Sequence, residues 1–325
     1  MEDINYLTLR SGQKMPRIGF GMYQIPVDVS AECAYQAIKA GYRLIDEAPV
    51  YQNEVECGKG IKRAIDEGIV KREDLFITSK VFCCHKTKDL VKAACKRTIS
   101  DLGVDYLDLY LIHTNITTKT IPIEKQWPPH FTDPDTGKAE PGEVPVSETW
   151  AAMEELVNEG LVKNIGISNF NVSIMRDLLS YAKIKPAVNQ VELHPFLTQE
   201  RFIRFCHENG IMVTAYSSMG GNAYVGLGLA DPADSVLGQE AIKTIAAKYN
   251  KTEAQIALRW AIQRNTAIIP KSTKPERMQE NMNILDFALT DEEMTQISGL
   301  NRNHRYSDPG QFMEKFFGLF YPTYD

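Results

Sequence analysis

Four polar residues stand where apolar runs give out. The stretch Gly41-Tyr42-Arg43-Leu44-Ile45-Asp46-Glu47-Ala48-Pro49-Val50-Tyr51 passes from a helix-stopping glycine through a short apolar run to a carboxylate, Asp46, and then a phenol, Tyr51. Two later runs end in the same way, at Lys80 and at His113. An ionisable group at the end of an apolar strand is costly in a core and useful in a site. Tyrosine titrates near about 10, too high for ready proton transfer at neutral pH, and a nearby ammonium lowers it by favouring phenolate. Lys80 is expected to supply that charge, Asp46 to hold Lys80 charged while buried, and His113 to hydrogen-bond and orient a substrate oxygen. A phenol that gives its proton to a carbonyl oxygen while hydride reaches the carbon performs carbonyl reduction, and the hydride must come from a cofactor.

The elements that must position these residues form a repeating unit: an amphipathic helix, a glycine, then a short apolar strand. A hairpin comes first, with residues 6–9 and 15–18 flanking Ser11-Gly12-Gln13-Lys14, followed by the Gly-rich strand Gly19-Phe20-Gly21. Ser30 is expected to cap a helix stopped by Gly41 before the Asp46 strand. Helices over residues 55–69, 90–102, 172–181 and 201–208, and one carrying Trp150, Met153, Leu156 and Val157 on one face, alternate with strands over 75–80, 107–113, 164–168, 187–192, 212–216 and 267–269. Thr252 with Gln255, Thr273 with Glu276, and Thr290 with Glu293 read as capping boxes. Eight strands alternating with eight helices is the (β/α)8 TIM-barrel pattern, expected here as one domain over residues 1–325. Alternation also permits a doubly wound open sheet, but no G-x-G-x-x-G follows a strand.

On a barrel, residues just past the C-terminal ends of different strands converge on one face, so Asp46, Tyr51, Lys80 and His113 become neighbours. Three stretches interrupt the repeat: 114–145, 218–238 and the tail 301–325. The first two fall after the fourth and seventh strands, on the catalytic face. The tail carries Phe312, Phe316, Phe317, Phe320, Tyr321 and Tyr324, and is expected to fold back over the pocket mouth. After the last strand, Ile269-Pro270-Lys271-Ser272-Thr273-Lys274-Pro275-Glu276-Arg277 opens a helix with a dense set of cations and hydroxyls, a good phosphate site and a pointer to NADPH rather than NADH.

The chain has 325 residues, 43% hydrophobic, with a formal net charge of -6. That balance gives no support to nucleic-acid binding, and no apolar run is long enough to span a bilayer. The start, Met1-Glu2-Asp3-Ile4-Asn5-Tyr6, has no leader pattern. Cys33, Cys57, Cys83, Cys84, Cys95 and Cys206 lack metal-type spacing and read as reduced thiols of a cytoplasmic protein. Asp46, His113, Glu192 and His194 are conceivable metal ligands, but Lys80 among them argues against a metal.

These residues together make the chain resemble the aldo-keto reductase family, and within it the aldose and aldehyde reductases. The resemblance runs from Ile18-Gly19-Phe20-Gly21 to Asn301-Arg302-Asn303 and is carried by Tyr42-Arg43-Leu44-Ile45-Asp46, Tyr51-Gln52-Asn53-Glu54, Leu111-Ile112-His113, Gly166-Ile167-Ser168-Asn169-Phe170, Asn189-Gln190-Val191-Glu192 and Ile269-Pro270-Lys271-Ser272. It implies NADPH-dependent reduction of aldehydes or aldose sugars, with Tyr51 as general acid, Lys80 paired with Asp46, and His113 orienting the substrate. It further implies that Ser168, Asn169 and Gln190 bind the nicotinamide carboxamide, that Tyr216 stacks on its ring, and that Ser217, Met219 and Gly221 cover the pyrophosphate. Lys271, Ser272 and Arg277 would clamp the ribose phosphate, with Glu280 and Asn281 near adenine. The partner implied is a small carbonyl substrate, and the family is often monomeric. Tyr23 and Thr114 stand where aldose reductases carry Trp, so the substrate pocket is expected to be less aromatic and more polar. Gln24 and Ala223 replace a Lys and an Asp that can pair over the cofactor, which implies a looser closure. The alternative is a non-catalytic cofactor-binding regulatory or structural member of the same fold.

Overall fold

The computed structural model describes residues 4–324; Met1, Glu2 and Asp3, read above for a leader pattern, and Asp325 lie outside the described residues. The antiparallel strands β1 (Tyr6–Thr8) and β2 (Lys14–Pro16) form the expected hairpin. Eight parallel strands follow: β3 (Gly19–Gly21), β4 (Leu44–Asp46), β5 (Phe76–Val81), β6 (Leu107–Ile112), β7 (Val162–Ser168), β8 (Val188–Glu192), β9 (Met212–Tyr216) and β10 (Ala267–Ile268), each paired to its sequence neighbour. Between them run α1 (Val27–Lys39), α2 (Glu54–Asp66), α3 (Lys88–Leu102), α4 (Val146–Asn158), α5 (Val172–Tyr181) and α6 (Glu200–Glu208). The short α7 (Asn222–Val225), α8 (Glu240–Tyr249) and α9 (Glu253–Gln263) separate β9 from β10. After β10 come α10 (Pro275–Met282), α11 (Asp291–Ser298) and α12 (Pro309–Phe317).

The sheet closes into a barrel where its ends meet. Ile18 bridges Ile268 in parallel, the Ile268 amide donates to the Arg17 carbonyl at 2.8 Å, and the Gly21 amide donates to the Pro270 carbonyl at 3.1 Å. A Cβ on Gly21 would lie 2.7 Å from the Ile269 carbonyl oxygen, so only glycine permits this approach. The fold is a (β/α)8 TIM barrel with an N-terminal hairpin.

Strand alternation then divides the side chains into two cores. Leu44, Phe76, Leu109, Leu111 and Val188 point into the barrel, where Leu7, Leu9 and Met15 of the hairpin pack against them. Their strand neighbours Ile45, Ile77, Tyr110 and Ile112 point outward against the helices. Two residues beyond Leu44, four beyond Phe76 and two beyond Leu111 stand Asp46, Lys80 and His113, which therefore share the inner face.

Local signals were read unevenly. Thr252 with Gln255 and Thr290 with Glu293 form complete capping boxes. Ser30 does not cap α1: the helix starts directly after Pro26, and the Ser30 hydroxyl donates to the Pro26 carbonyl at 2.9 Å from inside the first turn. Nor does Thr273 cap α10, because Pro275 at its first position sets the start one residue later, after Lys274. Lys80 lies within β5, which runs on to Val81, rather than at its end. All six cysteines are free and buried. No helix among the described residues is long and apolar enough to cross a membrane.

Candidate active site

The barrel register gathers Asp46, Tyr51, Lys80 and His113 at the C-terminal ends of β4, β5 and β6. Asp46 is the last residue of β4 and pairs with Thr78 of β5, two residues before Lys80. The chain then bends through Pro49–Tyr51, a single 3-10 turn begun by proline and closed by Gln52 at φ 64, which swings the Tyr51 ring back over the strand ends. Lys80, fully buried, uses all three of its ammonium protons: to Asp46 Oδ1 at 2.6 Å, to the Glu47 carbonyl at 2.8 Å and to Tyr51 Oη at 3.2 Å. Gln190 Nε2 donates to the other Asp46 oxygen at 2.6 Å. The carboxylate is thus satisfied on both oxygens and fixed in direction. His113 packs edge-on to Tyr51, ring centroids 5.8 Å apart.

The electrostatics correct one expectation. Burial is the main cause that pushes the Tyr51 phenol well above its ordinary range, and the Asp46 charge pushes it further. Lys80 does not turn it into phenolate, because its charge is met by Asp46 at 2.6 Å. The phenol therefore keeps its proton at neutral pH, as a proton donor requires. Burial, followed by the charges of Lys80 and Lys86, holds His113 well below the usual histidine range, so the imidazole is neutral; its Nδ1 is buried with no hydrogen-bond partner.

Glu47 points the other way. Its side chain lies in the outer layer, accepting from the Ala48 amide at 3.1 Å and meeting Cys57 of α2. Burial and the neighbouring Glu54 charge raise its carboxyl well above the carboxylate range. Glu54, itself pushed up to about 7 by burial, accepts from Ser79 at 2.7 Å and Thr98 at 3.2 Å. Strand alternation turns Glu47 away from Asp46, toward Glu54 and Cys57 of α2.

A polar network continues around the barrel mouth. Ser168 Oγ donates to the Gln190 carbonyl at 2.8 Å, Asn169 Nδ2 to the His113 carbonyl at 3.0 Å, and Tyr216 Oη to Asn169 Oδ1 at 2.7 Å. The Gln190 amide nitrogen faces Asp46. Ser217 takes φ 53 and meets the Tyr224 hydroxyl at 3.1 Å, while Ser218 to Gly221 carry the chain, with Met219, into α7. A Cβ on Gly221 would lie 2.6 Å from the Tyr306 ring, so this loop is built against the tail. Gln24 Nε2 donates to the Ala223 carbonyl at 3.3 Å, a neutral hydrogen bond across the cleft where an ion pair was expected to be lost.

At the far end, Lys271, Lys274 and Arg277 are exposed around the start of α10, and no ion pair to any of them is found among the described residues. The Ser272 hydroxyl accepts from the Lys274 amide at 3.0 Å and shapes the turn. Three unpaired cations at a helix start, on a protein of net charge -6, fit a phosphate group. Glu280 accepts from Thr252 at 2.9 Å, and Asn281 is buried beside it.

One pair weighed above as metal ligands has another role, and one residue was missed in the sequence. Glu192 and His194 meet at 2.8 Å, fully buried, and Glu192 accepts the backbone amides of Tyr306 and Ser307, each at 2.8 Å. The pair anchors the tail, and among the described residues no group of three His, Cys, Asp or Glu gathers as metal ligands. Tyr224, reaching in from α7 and stacked on Tyr306 at 5.9 Å, is the other; only the length of the loop after β9 pointed to it. The tail does fold back, with Tyr321 Oη accepting from the Thr117 amide at 3.2 Å and Tyr324 Oη donating to the Asn169 carbonyl at 3.4 Å. Phe316 and Phe320, however, stay exposed.

The residues read above as lining the substrate side lie near the site. Tyr23 lies against Tyr51, centroids 5.2 Å apart. Thr114 is buried, and its hydroxyl accepts from the Ile116 amide at 3.1 Å, so it offers nothing to a ligand. Phe82 and Phe131, from β5's following loop and the loop after β6, supply aromatic surface beside His113.

Comparison with known proteins agrees with this geometry. Residues 17–302 match the family model described as the Aldo/keto reductase family. The chain is similar to the NAD(P)H-dependent D-xylose reductase of Kluyveromyces lactis, 45% identical over 97% of this chain and 98% of that protein. It is 47% identical to the enzyme of the same name from Candida tenuis, over 93% and 95% of the two chains. Among solved structures, a Bombyx mori aldo-keto reductase in complex with NADP superposes with a TM-score of 0.85 at 36% identity, covering 98% of each chain.

Proposed function

The chain belongs to the aldo/keto reductase family, and from that premise we propose that it reduces aldehydes, including aldose sugars, to primary alcohols with a nicotinamide cofactor. The observation that carries the reading is the Lys80 ammonium held between the Asp46 carboxylate at 2.6 Å and the Tyr51 hydroxyl at 3.2 Å. A reduced nicotinamide supplies hydride to the carbonyl carbon. Tyr51 donates its proton to the carbonyl oxygen, and the phenolate left behind is stabilised by Lys80. Asp46 keeps Lys80 charged and aimed. The neutral His113 orients the carbonyl oxygen through its ring, and Tyr51 is reprotonated from solvent after the alcohol leaves. The balance is one aldehyde, one hydride and one proton to one alcohol. Oxidation of NADPH by the wild-type protein on addition of glyceraldehyde tests this: a saturable, aldehyde-dependent loss of absorbance supports it. NADPH binding with no aldehyde-dependent loss would favour a non-catalytic cofactor-binding role instead.

Within that reading NADPH is the preferred cofactor. Lys271, Lys274 and Arg277 meet no carboxylate, and phosphate on the adenosine ribose supplies the missing counter-charge. Ser168, Asn169, Gln190 and Tyr216 would hold the nicotinamide end, Ser217, Met219 and Gly221 the pyrophosphate, and Glu280 and Asn281 the adenine end. Replacing both Lys271→Ala and Arg277→Ala is expected to raise the Kd for NADPH by about 100-fold and that for NADH by less than about threefold, since charge-assisted contacts to phosphate are lost only in the first case. Equal losses for the two cofactors in a fluorescence titration would remove the clamp assignment. The six free cysteines accord with a reducing compartment, and we place the protein in the cytoplasm as a monomer.

A further inference from the structure

We propose that Glu47 is a positioning residue of the reaction: its carboxyl fixes the peptide that holds the Lys80 ammonium and opens the turn carrying Tyr51. The inference rests on the reductase reading and deepens it. The Glu47–Ala48 peptide lies just past the end of β4 and is held by side chains. Its carbonyl accepts from Lys80 Nζ at 2.8 Å, and its N–H, on Ala48, donates to Glu47 Oε2 at 3.1 Å. The ammonium and the carboxyl thus hold the two ends of one planar unit, whose carbonyl and N–H point in opposite directions. Ala48 in turn gives its carbonyl to the Tyr51 amide at 2.9 Å, the bond that closes the 3-10 turn. The groups on either side are backbone-paired: the Asp46 carbonyl accepts from the Met22 amide at 3.0 Å, and the Glu47 amide donates to the Thr78 carbonyl at 2.9 Å.

A carboxyl is a costly way to hold an amide here. Glu47 and Ala48 are fully buried, and Glu47 Oε1 has no hydrogen-bond partner. The titratable groups that face the carboxyl are Glu54 and Cys57 of α2 and Lys80 of β5. Burial, followed by the Glu54 charge, keeps it in the acid form at neutral pH, so it works through an acceptor oxygen and not through charge. An apolar side chain would fill the same space in the outer layer without an unpaired oxygen. What it would not supply is a partner for the buried Ala48 N–H. Without that partner the peptide turns to find another acceptor and takes its carbonyl off Lys80.

The test measures kcat and KM for glyceraldehyde, the Kd for NADPH by fluorescence titration, and Tm. The proteins compared are the wild type, Glu47→Gln and Glu47→Leu, with Glu47→Ala as a second apolar variant where Glu47→Leu does not pack. Glu47→Gln keeps an acceptor oxygen and is expected to stay within about twofold of the wild type in all three kinetic and binding constants. Glu47→Leu is expected to lower kcat by about tenfold or more, with the aldehyde KM and the NADPH Kd within about twofold, because only the alignment of Lys80 and Tyr51 is lost. A mere filler of the outer layer would shift Tm and leave the kcat of the folded protein unchanged. A wild-type kcat in a folded apolar variant, equal losses in Glu47→Gln and Glu47→Leu, or failure of both apolar variants to fold would overturn the inference while leaving the reductase reading intact. No aldehyde-dependent NADPH oxidation by the wild type would overturn both.

Discussion

Tyr51→Phe is expected to lower kcat for aldehyde reduction by about 10³-fold or more, with the Kd for NADPH within about twofold of the wild type. The substitution removes one oxygen and leaves the ring that packs against Tyr23 and His113. It deletes the only proton donor on this ring and one of three acceptors of the Lys80 ammonium. The Asp46 and Glu47 carbonyl contacts to Lys80 remain, so the fold is expected to survive. Because burial raises the phenol, the proton is available across the neutral range, and loss of activity from Tyr51 ionisation sets in only as pH rises through that elevated value. Steady-state kinetics with parallel fluorescence titration of NADPH check both halves. Residual kcat within tenfold of the wild type would remove Tyr51 from the proton-donating role.

Lys80→Met is expected to affect both rate and stability. Methionine nearly fills the space of the alkyl stem but leaves Asp46 buried with Gln190 as its remaining donor from this set. Breaking a buried ion pair from one side costs about 3–5 kcal/mol, because the other charge stays behind unpaired. Without the ammonium the Tyr51 phenolate formed on proton transfer has no cation, and kcat is expected to fall by about 10²–10³-fold. Combining Lys80→Met with Asp46→Asn removes the orphaned charge. The double variant is expected to recover most of the stability and none of the rate, a non-additive pattern that separates the two roles of the pair. Thermal unfolding and kcat measured on the three variants test this; recovery of the rate in the double variant would show that Lys80 acts only as a structural partner of Asp46.

Much of this site was legible in the chain because a strand has period two. Leu44 to Asp46, Phe76 to Lys80 and Leu111 to His113 keep the parity of the barrel interior, and the same parity sends Glu47 outward to Cys57 and Glu54. Helix ends were legible where a cap needs only neighbours three residues apart, as at Thr252 and Thr290, and misread where a proline sets the start, as at Pro26 and Pro275. The proton affinity of Tyr51 was not legible. It is set by burial and by Asp46, Tyr23, Glu47 and Tyr224, which come from several segments, and pairwise reasoning from Lys80 alone gave the opposite sign. The cluster of Phe82, Phe131 and Phe312 was hidden for the same reason, since its members come from two loops and the tail.

Glu192 extends this lesson to closure. Its carboxylate accepts two amides of the tail, while Tyr306 of that tail lies against Gly221 and stacks on Tyr224. The loop after β9 and the C-terminal tail are therefore held by one buried group, with Gln24 to Ala223 as a weaker tie on the other side.

The most direct measurement is the fate of the hydrogen. Glyceraldehyde reduced by the wild-type protein with NADPH deuterated in the transferred position at nicotinamide C4 is expected to give an alcohol with one deuterium on the carbinol carbon, seen as a one-mass-unit shift, in equal amount to the NADPH oxidised. An alcohol formed without deuterium, or NADPH consumed without alcohol, would contradict direct hydride transfer to a carbonyl held at Tyr51 and His113.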